Sequence, residues 1–192
     1  MPSPAKPGGK PLIRPITAQY LQNAAMFYLE RYSASAEGVR RLLQRRVSTA
    51  RRFEAPVIDD VEDAIEATVQ KLIALGLIDD GRFAQAKART LHRRGTSARF
   101  MRQKLQVAGV DSDTVQNALA ELGSELGADP EQRERQAAMA LARRRRLGPF
   151  RLAGQRVAHR VKDLAAMARA GFAYDVARKV IDAADPDALD EE

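Results

Sequence analysis

The chemistry of this sequence is concentrated in arginine and lysine side chains, and the densest group lies between Gly81 and Val110. That stretch contains no acidic residue. Guanidinium and ammonium groups without carboxylates beside them attract phosphates or an acidic protein surface. We predict that this stretch carries the central contacts of a binding surface, through Arg82, Arg89, Arg93, Arg94, Arg102 and Lys104.

Two further arginine clusters lie where acidic residues are again missing, from 38 to 53 and from 135 to 162. We predict that both extend the binding surface. The alternative for each cluster is a solvated helix face, and part of the second run would also favour a helix C-terminus electrostatically. The clusters are Arg40, Arg41, Arg45 and Arg46, and then Arg143, Arg144, Arg145 and Arg146.

No group of residues in the sequence is suited to catalysis. His92 and His159 lie in arginine-rich amphipathic stretches, and we expect both at the surface. Asp79 and Asp80 resemble a metal-binding pair, but adjacent carboxylates at a helix start more often serve as caps. There is no glycine-rich phosphate loop after a strand and no nucleophile paired with a base. We therefore predict a protein that is not an enzyme and uses no cofactor and no metal.

The composition favours a folded helical chain with an acidic partner. Hydrophobic residues make up 45% of the 192 positions, while aromatic residues make up 5% and Trp is absent, so the core must consist mainly of Leu, Ile, Val and Ala. A net charge of +7 suits a polyanion. The absence of Cys, of a signal peptide and of a long apolar run predicts a cytoplasmic protein without a membrane span.

Apolar periodicity and capping residues predict nine helices and no strand. We expect Pro56 in the first turn of the third helix. The expected core includes Phe83, Leu91, Phe100 and Leu105. Other inward positions are Ala86 or Lys87 in the fourth helix, and Val157, Val161, Leu164 and Met167 in the eighth. The capping candidates are Thr17, Ser33 or Ser35, Asp79 or Asp80, Thr96 or Ser97, Asp111 or Asp113, and Asp129.

The helices repeat in groups of three. Ala24, Leu29 and Arg31 have the same mutual spacing as Ala86, Leu91 and Arg93, which indicates repeated units. Chance similarity among Ala-, Leu- and Arg-rich helices is the alternative. We predict an all-α protein of three tandem three-helix repeats forming an elongated, curved helical array. The expected segments are a flexible arm (1–16), repeats at 17–78, 79–128 and 129–184, and an acidic tail (185–192).

A helix-turn-helix pattern spans Arg99 to Leu119. Its second helix carries Asp111 and Asp113 and has no Arg or Lys. For contacts to base edges it offers only Gln116 and Asn117. Helices that read base edges usually present Arg, Lys, Asn or Gln. Sequence-specific DNA reading is therefore not expected.

Residues of the central stretch resemble the central motif of the RecX family, and residues of the first repeat resemble its N-terminal part. The resemblance covers roughly 17 to 184. The matching central residues are Gly76 to Asp80, Arg82-Phe83-Ala84, Arg89, Arg94-Gly95, Leu105 and Gly109-Val110; those in the first repeat are Ala25, Leu29, Arg31, Tyr32-Ser33 and Leu42-Leu43.

The resemblance implies a regulator of the RecA recombinase. Proteins of that family lodge in the groove of the RecA–DNA filament and inhibit ATP hydrolysis and strand exchange, by blocking filament growth or promoting disassembly. Some also bind DNA. We accordingly expect a monomer whose partner is the RecA filament, with single- or double-stranded DNA as a further partner. The alternative function is nonspecific nucleic-acid binding through a basic stripe.

Overall fold

A computed structural model describes residues 14–185, and most of this range is helical. Residues 1–13 of the predicted arm and 186–192 of the predicted tail lie outside it. The β contact in the described range is one parallel bridge between Ile16 and Val57, so the all-α prediction is confirmed. The helices are α1 (Ala18–Leu29), α2 (Ala36–Arg52), α3 (Val61–Ala74), α4 (Asp80–Arg93), α5 (Ala98–Val107), α6 (Ser112–Leu126), α7 (Pro130–Arg145), α8 (Arg156–Arg169) and α9 (Tyr174–Ile181).

Short polar side chains begin six of these helices. Each accepts a hydrogen bond from the backbone N–H three residues further on, at 2.9 to 3.4 Å. At Asp129 the Gln132 side chain returns a hydrogen bond to the cap backbone, which completes a capping box. The capping residues are Thr17, Ser35, Asp79, Ser97, Asp111 and Asp129.

The third helix starts later than the sequence suggested. It begins at Val61, and no side chain caps it. The carbonyl of Pro56 accepts a hydrogen bond from the Ile16 N–H at 2.8 Å, and the Ile58 N–H donates to the Ile16 carbonyl at 3.2 Å. The prediction that Pro56 opens α3 is therefore wrong, because this segment pairs with the chain entering α1.

The buried apolar residues form three clusters, one for each set of three consecutive helices. One cluster includes Leu21, Leu43 and Val69 and joins α1, α2 and α3. The second joins α4, α5 and α6, and the third joins α7, α8 and α9. The chain divides into two compact units, which we call unit 1, ending at Ile78, and unit 2, beginning at Asp79.

The buried face of α4 agrees with the prediction at Leu91 but not at Ala86 or Lys87. Ala84, Ala88 and Leu91 are buried, whereas Ala86 and Lys87 are exposed. The small side chains at Ala84 and Ala88 allow α4 to approach α6 closely, since they lie one turn apart on the same face. Phe83 is half-buried at the edge of this cluster.

The end of α4 lies against α7 within unit 2. A Cβ atom on Gly95 would lie 2.4 Å from the Leu141 nitrogen, and Gly95 has a φ of +70°, so both space and backbone conformation require glycine here. His92 is only 8% exposed, and its Nε2 lies 3.1 Å from the Arg133 carbonyl oxygen. The prediction of a surface position for His92 is therefore wrong.

Helix α8 faces the protein through Asp163 and Met167. Val157 and Val161, predicted to point inward, are 89% and 75% exposed. The carboxylate of Asp163 accepts hydrogen bonds from the Arg151 guanidinium at 2.7 and 2.8 Å and from the Gly148 N–H at 2.9 Å. These bonds fix the rotation of α8, and the two valines consequently face solvent.

Candidate functional site

Unit 2 contains an open groove of about 780 Å³ between the end of α4, the end of α6 and the length of α7, which we call the α7 groove. Arginine and glutamine side chains dominate its wall, while Leu126 and Met139 contribute apolar surface. The polar lining residues are Arg93, Gln132, Arg135, Gln136, Arg143 and Arg144.

The electrostatics of the α7 groove favour an anion. No carboxylate lines it. Among the described residues, Arg93, Arg143 and Arg144 form no ion pair, although Arg143 also lies over the Phe150 ring at 5.4 Å. Guanidinium groups offer several N–H donors in a planar arrangement that matches phosphate and carboxylate oxygens. The groove can therefore hold a chain of phosphates or an acidic protein segment.

Helix periodicity explains why these residues meet. The capping box at Asp129 fixes the start of α7, after which Gln132, Gln136 and Arg143 recur at intervals that return to one helix face. Arg93 joins them because α4 ends against α7. Arg135 also lines the groove but was not among the predicted residues, because it stands between Glu134 and Gln136 and belongs to no arginine run. Its helical spacing to Met139 and Arg143, which line the same groove, is the sequence feature that could have identified it.

Two of the predicted central arginines form ion pairs within unit 2. The Arg89 guanidinium bonds to both oxygens of Glu125, with Nε at 2.7 Å from Oε2, and so joins α4 to α6. This hydrogen bonding lowers the pKa of Glu125 below its ordinary value. Arg82 pairs with Asp79, the cap of its own helix, at 2.9 Å. Their charges are thus partly compensated.

The four predicted arginines on α2 in unit 1 also differ in whether a carboxylate lies beside them. Arg40 makes two hydrogen bonds to Glu66, at 2.7 and 3.0 Å, and together with a hydrogen bond from Gln70 these lower the pKa of Glu66 to about 2. Arg41 pairs with Glu37 at 2.7 Å. Arg45 and Arg46 instead line a groove beside Tyr20, where no carboxylate is present.

The remaining predicted residues lie outside the α7 groove. Arg94, Lys104 and Arg145 are exposed. Arg102 is exposed and lies near Glu134, whose pKa is raised by burial even though the Ala98 N–H donates to its carboxylate at 2.9 Å. Arg146 lines a separate cleft of about 540 Å³ beside Phe150.

Metal binding and membrane insertion find no support in the part of the chain that the structure describes. No group of three or more His, Cys, Asp or Glu side chains there could hold a metal ion. None of the described helices has the length and apolar character that crossing a membrane requires.

Comparison with known proteins places this chain among the RecX proteins. The family model for the second three-helix domain of RecX matches residues 79–119. A "Regulatory protein RecX" of Myxococcus xanthus (strain DK1622) is 40% identical over 182 residues, which cover 94% of each chain. A "Regulatory protein RecX" of Agrobacterium fabrum (strain C58 / ATCC 33970) is 27% identical and covers 84% of this chain and 82% of that relative.

Solved structures show the same fold. A crystal structure of RecX from Lactobacillus salivarius matches with a TM-score of 0.59 at 22% identity, over 91% of this chain and 97% of the other. A second crystal structure, of a regulatory protein RecX, matches with a TM-score of 0.56 at 19% identity, over 86% and 72%. From the 40% identity across nearly the whole of both chains, together with this shared fold, we conclude that the chain belongs to the RecX family.

Proposed function

We propose that this protein regulates the RecA recombinase by binding in the groove of the RecA–DNA filament. Binding there opposes ATP hydrolysis and strand exchange, either by blocking filament growth or by promoting disassembly. The names of its relatives support a regulatory role. The observation that carries the proposal is the α7 groove, where Arg93, Arg143 and Arg144 form no ion pair with any described residue and no carboxylate lines the wall.

The predicted arginines contribute to this binding in different ways. Arg93, Arg143 and Arg144 of the α7 groove make the principal contact, because desolvating these three requires no ion pair with a described residue to break. Arg94, Arg102, Lys104, Arg145 and Arg146 are exposed charges outside that groove and act mainly through long-range attraction. The four ion-paired arginines, Arg40, Arg41, Arg82 and Arg89, contribute chiefly to the fold of their own units.

The test is a titration of RecA ATPase on single-stranded DNA with the wild type and with Arg143→Glu combined with Arg144→Glu. We expect inhibition by the double variant to need at least about tenfold more protein, since two contacts change from attraction to repulsion. Lys162→Glu with Arg169→Glu is the matched control, because both residues are exposed on α8 in the same unit. Equal inhibition by the two double variants would remove the α7 groove from the proposal.

A second candidate function is nonspecific nucleic-acid binding, which the same carboxylate-free wall also favours. It predicts tight binding to bare DNA, with affinity that falls steeply as salt rises, and no effect that depends on RecA. Measuring bare-DNA affinity beside the ATPase titration separates the two functions. Inhibition of RecA at protein concentrations well below the dissociation constant for bare DNA would favour the filament regulator.

A further inference from the structure

Unit 1 carries another surface without carboxylates, formed by α1 and α2, which we call the α1–α2 face. No acidic residue precedes Glu30 in the sequence, and none occurs from 38 to 53. Two shallow grooves of about 400 and 300 Å³ occupy this face and share Tyr20 and Arg46. The polar and aromatic residues in them are Arg14, Tyr20, Asn23, Phe27, Arg45 and Arg46.

The α1–α2 face differs from the α7 groove because it presents aromatic rings to solvent. Phe27 is 55% exposed, and the Arg31 guanidinium carbon lies 3.8 Å from its ring centroid. The Tyr28 ring near the end of α1 lies 5.1 Å from the ring of Tyr32, which follows the helix and is largely exposed. These rings are held by their neighbours yet retain free surface on which another planar group can stack.

Arg46 joins the two grooves. Its Nη1 donates a hydrogen bond to the Tyr20 hydroxyl oxygen at 3.1 Å, which holds the guanidinium beside the phenol ring. Its buried Nε finds no hydrogen-bond partner among the described residues. That nitrogen is enclosed and cannot reach a ligand, but the guanidinium has further N–H groups on Nη1 and Nη2, and Arg46 lines both grooves beside Tyr20.

We propose that the α1–α2 face binds single-stranded nucleic acid, with bases stacked on Phe27 and Tyr20 and phosphates held by Arg14, Arg45 and Arg46. Exposed rings between cations suit an unpaired strand, since the bases of a duplex already stack on one another and offer no free face. The carboxylates of an acidic peptide would pair with the arginines but would not stack on the aromatic rings. The proposal deepens the proposed function by naming a ligand for Arg45 and Arg46, and it is tested without RecA so that the two can fail separately.

The experiment compares the wild type with Phe27→Leu, which keeps an apolar side chain and removes the ring. Affinities are measured by fluorescence anisotropy for a labelled oligo-dT strand, an oligo-rU strand and a DNA duplex of equal length. We expect Phe27→Leu to weaken binding of the single strands at least about fivefold, and binding of the duplex less than about twofold. Phe53→Leu is the matched control: Phe53 is also an exposed ring in unit 1, with Arg52 over it at 5.9 Å, but it lines neither groove.

Tyrosine fluorescence gives an independent readout because the chain has no Trp and three of its four Tyr residues, Tyr20, Tyr28 and Tyr32, lie in unit 1. Stacked bases should quench this emission in the wild type and in Phe53→Leu, and quench it at a higher strand concentration in Phe27→Leu. A preference for dT or rU would support the proposal and identify the natural strand. The proposal is overturned if the wild type binds neither single strand, or if Phe27→Leu binds the single strands as tightly as the wild type does. It is also overturned if Phe27→Leu loses as much affinity for the duplex as for the single strands, or if Phe53→Leu loses as much affinity for the single strands as Phe27→Leu does.

Discussion

Asp163 on α8 is a carboxylate buried within unit 2. It is 1% exposed, yet Arg151 and the Gly148 N–H give it three hydrogen bonds. Burial by itself raises the pKa of Asp163, but the hydrogen bonds from Arg151 and Gly148 outweigh it, and the pKa lies below its ordinary value of 3.8. The charged form therefore stabilises the folded state and ties α8 to the turn that follows α7.

The variant Asp163→Asn tests this role at the scale of one residue. Loss of the charge leaves the Arg151 guanidinium and the Gly148 N–H poorly paired, and we expect the free energy of unfolding to fall by about 2 to 4 kcal/mol at neutral pH. Asp182→Asn is the control, because its pair with Arg160 is more exposed and should contribute less than about 1 kcal/mol. Urea unfolding followed by circular dichroism measures both.

The same residue predicts the direction of a pH effect. A carboxyl whose pKa is lowered by folding contributes stability above the unfolded pKa, and the contribution is lost as the pH falls through the folded pKa. The wild type should accordingly lose stability from about pH 5 downward more steeply than Asp163→Asn does. Parallel acid profiles for the two proteins would contradict the assignment.

At the scale of elements, α8 shows what an apolar pattern leaves undecided. Val157, Val161, Leu164 and Met167 recur at helical spacing, and the pattern predicts that all four are buried. In the structure Met167 is buried and Leu164 partly so, while the two valines are exposed. The ion pair of Asp163 turns the helix, and no rule of hydrophobic periodicity assigns a charged residue to the core.

Replacing both valines tests that orientation. We expect Val157→Ser combined with Val161→Ser to change the free energy of unfolding by less than about 0.5 kcal/mol, because both side chains are already in water. Val180→Ala on α9 is the contrasting variant, since Val180 is fully buried and its truncation should cost about 1 to 3 kcal/mol. A large loss in the double variant would show that these valines are covered in the folded protein.

For the whole molecule, the sequence predicted the capped helix starts and the RecX family better than it predicted which arginine side chains form no ion pair. Caps such as Asp129 depend on residues a few positions away, and local spacing therefore reveals them. The partners of Arg89 and Arg40 lie in other helices, at Glu125 and Glu66, and only the fold brings them together. A stretch without acidic residues is thus a poor guide to unpaired charge, and the separation of the α7 groove from the ion-paired arginines required the structure.

The salt dependence of inhibition tests the proposal for the molecule as a whole. With a net charge of +7, the protein should inhibit RecA ATPase less strongly as salt rises, because ions compete for both partners. If Arg93, Arg143 and Arg144 supply much of the contact, replacing all three by Gln should raise the protein concentration needed for inhibition. The replacement should also make that concentration less dependent on salt. If all three arginines contact phosphates, the slope of its logarithm against the logarithm of the salt concentration should fall by about two. Titrations at several potassium chloride concentrations measure both quantities, and Lys162→Gln with Arg169→Gln controls for the loss of charge elsewhere on unit 2. A triple variant as salt-sensitive as the wild type would mean that the filament is bound through some other surface.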